Sequence, residues 1–256
     1  MQVTDTSGAV VMAAAQSRSV AGDISANVQR HLRYMELASE RGVGFLLFPE
    51  LSLTGYEPAL ASELAMTEDD SRLQPLRDMA LKTGITTAVG APVRSFNGEL
   101  LIAAFIFHGN GAQSVQSKQH LHGGEESVFA PGAGGVPIDI GGERLSLAIC
   151  ADFSHARHAH QAAQAGATVY VVSALISGTG YGHDASVLKG YARQHRMAVL
   201  MANYAGMTGG WSSGGRSALW NEHGETEAEI PNAEEGLLVV QRSESGWTSA
   251  VHAVSF

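Results

Sequence analysis

Two short apolar runs bracket an amphipathic stretch near the start of the chain, and that order constrains the fold more than any other feature. Residues 10–16 are apolar enough for a buried strand. Asp23 then stands where a helix N-cap would, ahead of Ile24, Val28, Leu32 and Met35, which share one face at helical spacing; Gly42 follows as a C-cap. Phe45-Leu46-Leu47-Phe48 is a second buried run and stops at Pro49-Glu50. Strand, helix, strand in this order predicts a parallel pair with a helix packed across it.

The alternation continues along the chain. A helix is expected over residues 71–82, closed by Gly84. Strands follow at 86–93, 100–107 and 114–118, with Asn97-Gly98 and Gly109-Asn110-Gly111 as the turns between them. Ile138 and Ile140, the Gly141-Gly142 turn, and Leu145, Leu147 and Ile149 read as a hairpin whose second strand runs directly into Cys150. Helices at 155–165 and 184–197 alternate with strands at 169–172 and 199–202, and the tail carries short strands at 217–220, 237–241 and 248–254. Parallel and antiparallel strands with paired helices predict an α/β fold, its sheets covered by helices on their outer faces. No linker or repeat interrupts residues 1–256, which read as a single domain.

Composition narrows the function classes. A net charge of −9, with no basic run, argues against nucleic acid and against an anionic membrane surface as partners. Hydrophobic residues make up 45% and charged ones only 16%; few charges to cover the surface favour a homodimer or higher homo-oligomer. With a single cysteine no disulfide forms within the chain, and a reducing, cytoplasmic setting is the simpler reading. Residues 1–15 lack a basic segment ahead of their apolar stretch and read as a first strand, not a signal peptide. No run is long enough for a membrane span.

Three residues end apolar runs and carry chemistry. Cys150 stands between a strand and a helix, where backbone N–H groups and the helix end would lower its pKa and supply oxyanion donors. Glu50 ends the 45–48 strand, where partial burial would suit a carboxylate to general-base work. Lys118, in Ser117-Lys118-Gln119-His120-Leu121, ends another strand, and a fixed cation there would stabilise an oxyanion. Singly each has a plainer reading, as a buried thiol, a loop carboxylate and a surface lysine. Together they converge on one rim.

These segments resemble the three signature regions of the nitrilase superfamily of carbon–nitrogen hydrolases, in the right order. Glu125, Phe129 and Gly132 match its Glu-x-x-x-Phe-x-x-Gly stretch; Ala202-Asn203 and Gly215-Arg216-Ser217 followed by Gly224 match later elements. The resemblance runs from about Val10 to Leu238. It implies a four-layer α-β-β-α sandwich with a Glu50–Lys118–Cys150 triad that cleaves a small-molecule amide through a thioester on Cys150. It further implies Glu125 as a second glutamate positioning Lys118, and Tyr56, Ala151, Phe153, Ser154 and His155 as oxyanion or substrate-binding candidates. Small amidases of this kind often follow the nucleophile with Tyr-Asp or Trp-Asp, and nitrilases with Trp-Glu. Cys150-Ala151-Asp152 has neither aromatic, and lacking Trp-Glu it favours amides over nitriles. In dicarboxylate-monoamide hydrolases an arginine stands where this chain has Ser154, so weak activity on such monoamides is expected.

The rivals are a Cys–His hydrolase using His120 or His122 as base, nitrile or N-carbamoyl hydrolysis on the same triad, and a non-catalytic binding member of the fold. His155, His158 and His160 invite a zinc site, but His160 falls off the face that the other two share, so no metal is expected. No phosphate-binding loop occurs, and Gly178-x-Gly180-x-Gly182 lacks dinucleotide-binding spacing, so no cofactor is expected.

Overall fold

A computed structural model describes residues 9–256; residues 1–8, the start of the segment read above as a first strand without a leader, lie outside them. The strands in chain order are β1 (Val11–Gln16), β2 (Phe45–Leu47), β3 (Thr86–Arg94), β4 (Leu100–Phe107), β5 (Gln113–Ser117), β6 (Ile138–Ile140), β7 (Glu143–Ile149) and β8 (Val169–Ala174). They continue as β9 (Ala198–Asn203), β10 (Met207–Thr208), β11 (Trp211–Ser212), β12 (Ala218–Trp220), β13 (Thr226–Glu229), β14 (Gly236–Ser243) and β15 (Gly246–Ala253). The helices are α1 (Ile24–Ser39), the single turn α2 (Ala61–Leu64), α3 (Gln74–Thr83), α4 (Ala156–Gln164) and α5 (Tyr181–His195).

Two sheets form. One has the order β15-β14-β1-β2-β3-β4-β5, the other β13-β12-β9-β8-β7-β6, and β10 pairs with β11 alone. The expected parallel pair is present: β1 lies beside β2 with Ala13 opposite Leu46.

Burial separates four layers. Along β1, Met12 and Ala14 face Leu145, Leu147, Val169, Val171 and Leu200 of the other sheet, while Ala13 and Ala15 turn outward to Ile24, Val28 and Met35 of α1. On the opposite outer face Ala148, Tyr170, Val172 and Trp220 pack against Ala159 of α4 and Leu188 and Ala192 of α5. Alternation at period two sends each strand's residues to two different apolar layers. The fold is the α-β-β-α sandwich.

Polar clamps cross between the sheets. Ser173 Oγ donates to the Phe48 carbonyl at 2.8 Å, Gln116 Nε2 to the Leu147 carbonyl at 2.5 Å, and the Ser217 N–H to Gln16 Oε1 at 2.8 Å. Buried bonds of this kind fix the sheets against sliding, because breaking one would strand an unpaired polar group.

The main departures from the sequence reading are local. Helix α5 begins at Tyr181, before the expected residue 184, since Ser177 Oγ accepts the Gly180 N–H at 3.1 Å and starts the turn that glycines 178 to 182 disguise. The β10–β11 hairpin and β13 were not expected; two residues, or Thr-Glu-Ala-Glu, leave no apolar alternation to read. No helix among the described residues is long and apolar enough to cross a membrane.

Candidate active site

Glu50 sits just past β2 on a turn held from behind. Leu51 adopts φ 51°, a left-handed conformation that costs a side chain energy and persists only where packing enforces it. Gly90 of β3 supplies that enforcement: a Cβ there would run into the backbone nitrogen of Leu51. Ser52 Oγ accepts the Gly90 N–H at 3.2 Å, and His31 reaches the same hydroxyl through Nε2 at 2.9 Å. His31 Nδ1 lies 2.7 Å from the Asn27 carbonyl, which can only accept, so Nδ1 carries the proton. Burial lowers this imidazole to about 4, keeping it neutral.

Lys118 follows β5 and is fully buried, its N–H donating to Ile102 and its carbonyl accepting from Gly132. The ammonium makes three bonds, to Glu50 Oε1 at 2.7 Å and to Glu125 Oε1 and Oε2 at 2.9 and 2.8 Å. Glu125 opens a short 3-10 turn and also accepts the Tyr56 hydroxyl at 2.8 Å and the His122 N–H at 2.7 Å.

Cys150 follows β7 at φ 43°, the first residue of a 3-10 turn over Cys150–Ser154. Its thiol donates to the Leu175 carbonyl at 3.7 Å. The Asp152 carboxylate ties this turn to the Lys118 loop, accepting the N–H groups of Ile149 at 3.0 Å, Gln119 at 2.9 Å and His120 at 2.8 Å. The Leu175–Ile176 segment is fixed by Asn203, whose side chain accepts the Ile176 N–H at 2.8 Å and donates to the carbonyls of Ile176 and Gly215 at 3.1 and 2.7 Å. Ser217 Oγ accepts the Asn203 N–H at 2.9 Å. The Ala-Asn and Gly-x-Ser elements of the sequence thus brace the strand end facing the thiol.

Electrostatics at the site correct one expectation. The turn and its N–H groups were expected to lower the thiol pKa; burial pushes Cys150 up, reinforced by Glu50 and opposed by Lys118. Burial also raises the Glu50 carboxyl, opposed by Lys118 and reinforced by Glu125. Its Oε2 is buried without a hydrogen-bond partner among the described residues. Burial works against the Lys118 ammonium, but Glu50, Cys150 and Glu125 outweigh it and raise its pKa.

Glu50, Tyr56, His122, Glu125, Cys150, Leu175 and Trp211 line one cavity of about 40 Å³. Glu50, Lys118, Cys150, Glu125 and Tyr56 are therefore brought together as expected, with Ala151 buried beside the thiol. Three other residues are not. Phe153 is in the outer core with Ala159 and Tyr170, because the 3-10 turn directs it under α4. Ser154 and His155 are exposed at the end of that turn and do not line the cavity. The histidines disperse: His155 stacks on His120 with centroids 3.9 Å apart, His158 bonds Tyr170 at 2.8 Å, and His160 approaches His195. Of the two candidate imidazole bases only His122 reaches the cavity. Asp152, Leu175 and Trp211 escaped the sequence reading. Only Asp152, two residues from the nucleophile, carried a local signal.

The carbon-nitrogen hydrolase family model matches residues 11–250. This chain belongs to the carbon–nitrogen hydrolase family. Its fold is similar to that of the amidase from Nesterenkonia sp. AN1, a nitrilase-superfamily enzyme. In that amidase's butyramide complex the chains are 26% identical, with 94% of this chain and 93% of that one covered at a TM-score of 0.82. Against its acrylamide complex the identity is 26%, the coverage 96% and 94%, and the TM-score 0.83. Among curated relatives, the glutamine-dependent NAD(+) synthetases of Aquifex aeolicus (strain VF5) and Thermotoga maritima are each 26% identical to it, over 88% and 77% of this chain. The chain spans only 41% and 35% of those two proteins' lengths.

Proposed function

We propose that this hydrolase cleaves the carboxamide of a small, uncharged molecule through a thioester on Cys150, with Glu50 as general base and Lys118 as oxyanion donor. One observation carries the reading: Glu50 and Cys150 share a single small cavity, with the Lys118 ammonium bonded to Glu50 at 2.7 Å.

A thiol pushed up in pKa is a poor preformed thiolate, and a carboxylate pushed up is a better proton acceptor. The proton therefore passes to Glu50 as sulfur attacks the amide carbon. In the resting site all three Lys118 protons meet carboxylate oxygens. Once Glu50 is protonated its hold on Lys118 weakens, and one proton becomes available to the developing oxyanion. The Ala151 N–H, second in the 3-10 turn and without an acceptor inside it, is the other donor. Glu50 then passes its proton to the leaving nitrogen and ammonia departs, leaving the thioester. Water attacks next, Glu50 takes its proton, and release of the acid restores the thiol.

The size and charge of the cavity support a short acyl group. About 40 Å³ admits a few heavy atoms. Its lining includes the carboxyl groups of Glu50 and Glu125 and no lysine or arginine among the described residues, and the Lys118 ammonium behind them is already bonded to both; this disfavours a substrate carboxylate. The structures of the Nesterenkonia amidase with butyramide and acrylamide support the same class. Glutamine, for which the curated relatives are named, would bring its own carboxylate and is expected to be poor. A cytoplasmic homodimer or larger assembly is the proposed setting.

Ammonia release measured over amides, nitriles, N-carbamoyl compounds and glutamine tests the assignment. Short primary amides are expected to be best, and Cys150→Ala should lose on the order of 10⁴-fold. Mass spectrometry of wild type quenched during turnover should find acyl-Cys150, and Glu50→Gln, without the group that both half-reactions need, should form it far more slowly. Wild-type-like turnover by Cys150→Ala, or a clear preference for nitriles over matched amides, would overturn it.

A further inference from the structure

We infer that the β10–β11 hairpin, through Trp211, sets the length of acyl chain this enzyme accepts; the inference rests on the amide reading above. The cavity has two kinds of wall. Glu50 and Glu125 carry acceptor oxygens, to which an amide nitrogen can donate. The remaining wall consists of Leu175 and the rings of Tyr56, His122 and Trp211. An amide whose nitrogen faces the carboxylates must run its carbon chain along that second wall. The chain ends against Trp211, whose indole meets His122 edge-on, with centroids 5.9 Å apart and planes at 88°. Trp211 is 43% exposed, so it stands at the mouth with one side towards solvent.

A loose rim would read nothing, but this hairpin is braced. Thr208 Oγ1 accepts the Tyr56 N–H at 2.8 Å, and the Gly209 N–H donates to Glu57 Oε1 at 3.2 Å. Gly209 lies so close to the Tyr56 carbonyl that no Cβ fits, and its φ of 54° suits glycine. Beyond β11, Ser213 donates back to Gly206 at 2.9 Å and bridges to Ser177. Tyr56 in turn donates to Glu125 at 2.8 Å. The hairpin that carries the indole is thus tied, through Tyr56, to the carboxylate that holds Lys118. A wall fixed relative to the reacting carbon discriminates by length.

The test is kcat/KM for ammonia release from straight-chain primary amides, acetamide to hexanamide. Wild type, Trp211→Ala, Trp211→Phe and Met207→Ala are compared; Met207 is exposed on the same hairpin and does not line the cavity. Trp211→Ala should raise the hexanamide-to-propanamide ratio by about tenfold or more, the scale on which a pocket distinguishes chain lengths. Trp211→Phe and Met207→Ala should keep the wild-type order. A Trp211→Ala enzyme slowed by one common factor at every length would overturn the inference. Alkylation of Cys150 by chloroacetamide against 2-chlorohexanamide, read by intact mass, probes the same wall without turnover. A wild type that releases no ammonia but whose alkylation ratio shifts in Trp211→Ala would sink the amide reading and leave the wall reading standing; an unshifted ratio sinks the wall.

Discussion

Lys118 is one buried cation among two buried carboxylates, and that imbalance has a thermodynamic signature. Burial holds the Glu50 carboxyl above the ordinary carboxylate range, so folding favours its protonated form. The stability this lends is whole below the unfolded pKa and is lost as pH rises through the raised one. Near neutral pH an ionised Glu50 therefore costs stability. Glu50→Gln, whose amide oxygen can still accept from Lys118, is expected to unfold at a higher denaturant midpoint than wild type. The gain should be larger at about pH 8 than at about pH 5, while turnover is lost. Lys118→Met leaves two buried carboxylates without their cation and should lose about 3–5 kcal/mol. Unfolding curves at the two pH values check both, and a Glu50→Gln protein less stable than wild type at the higher pH refutes the first. Glu50, Lys118 and Cys150 were legible in the sequence because each ends an apolar run. Leu175 and Trp211 reach the site from distant parts of the chain with no local pattern to mark them; Asp152 had its place beside the nucleophile as a signal, but not its bond to Gln119, 33 residues away.

At the scale of elements, the turns after β2 and β7 share a device. Both hold a non-glycine residue at positive φ, Leu51 and Cys150, and both are pinned from behind, by Gly90 and by Asp152. Asp152→Asn tests the second pin. An amide offers one acceptor oxygen where three N–H groups need acceptors, and its own NH₂ would face a donor. We expect a loss of about 1–3 kcal/mol in stability and a fall in kcat exceeding any change in KM, because the nucleophile's turn loosens while the Tyr56–Trp211 wall stays in place. A change confined to KM would show that Asp152 positions substrate and not the turn. Strand–helix alternation made β1, α1, β2 and the strands of the β3–β5 meander readable, since their apolar periods are complete. The start of α5 was hidden by glycines, and the β10–β11 hairpin by its length; such elements exist because neighbours hold them, not because their own residues prefer them.

The whole molecule closes late. Local alternation, with the family resemblance, foretold four layers, but not that β14 would lie beside β1, with Val11 opposite Gln241. A chain emerging from the ribosome makes β1 some 220 residues before β14, so one edge of an almost wholly apolar strand waits uncovered until residues 236–243 have been made. That edge is a template for any passing strand. A chain cut after Glu235, which loses β14 and β15, should aggregate even though Glu50, Lys118 and Cys150 are all present. Light scattering and the soluble fraction on expression decide it; a monodisperse truncated protein would contradict the expectation. Strands β14 and β15 touch no reacting atom, yet they stand guard over β1, so damage within them should surface as lost yield rather than as altered catalysis.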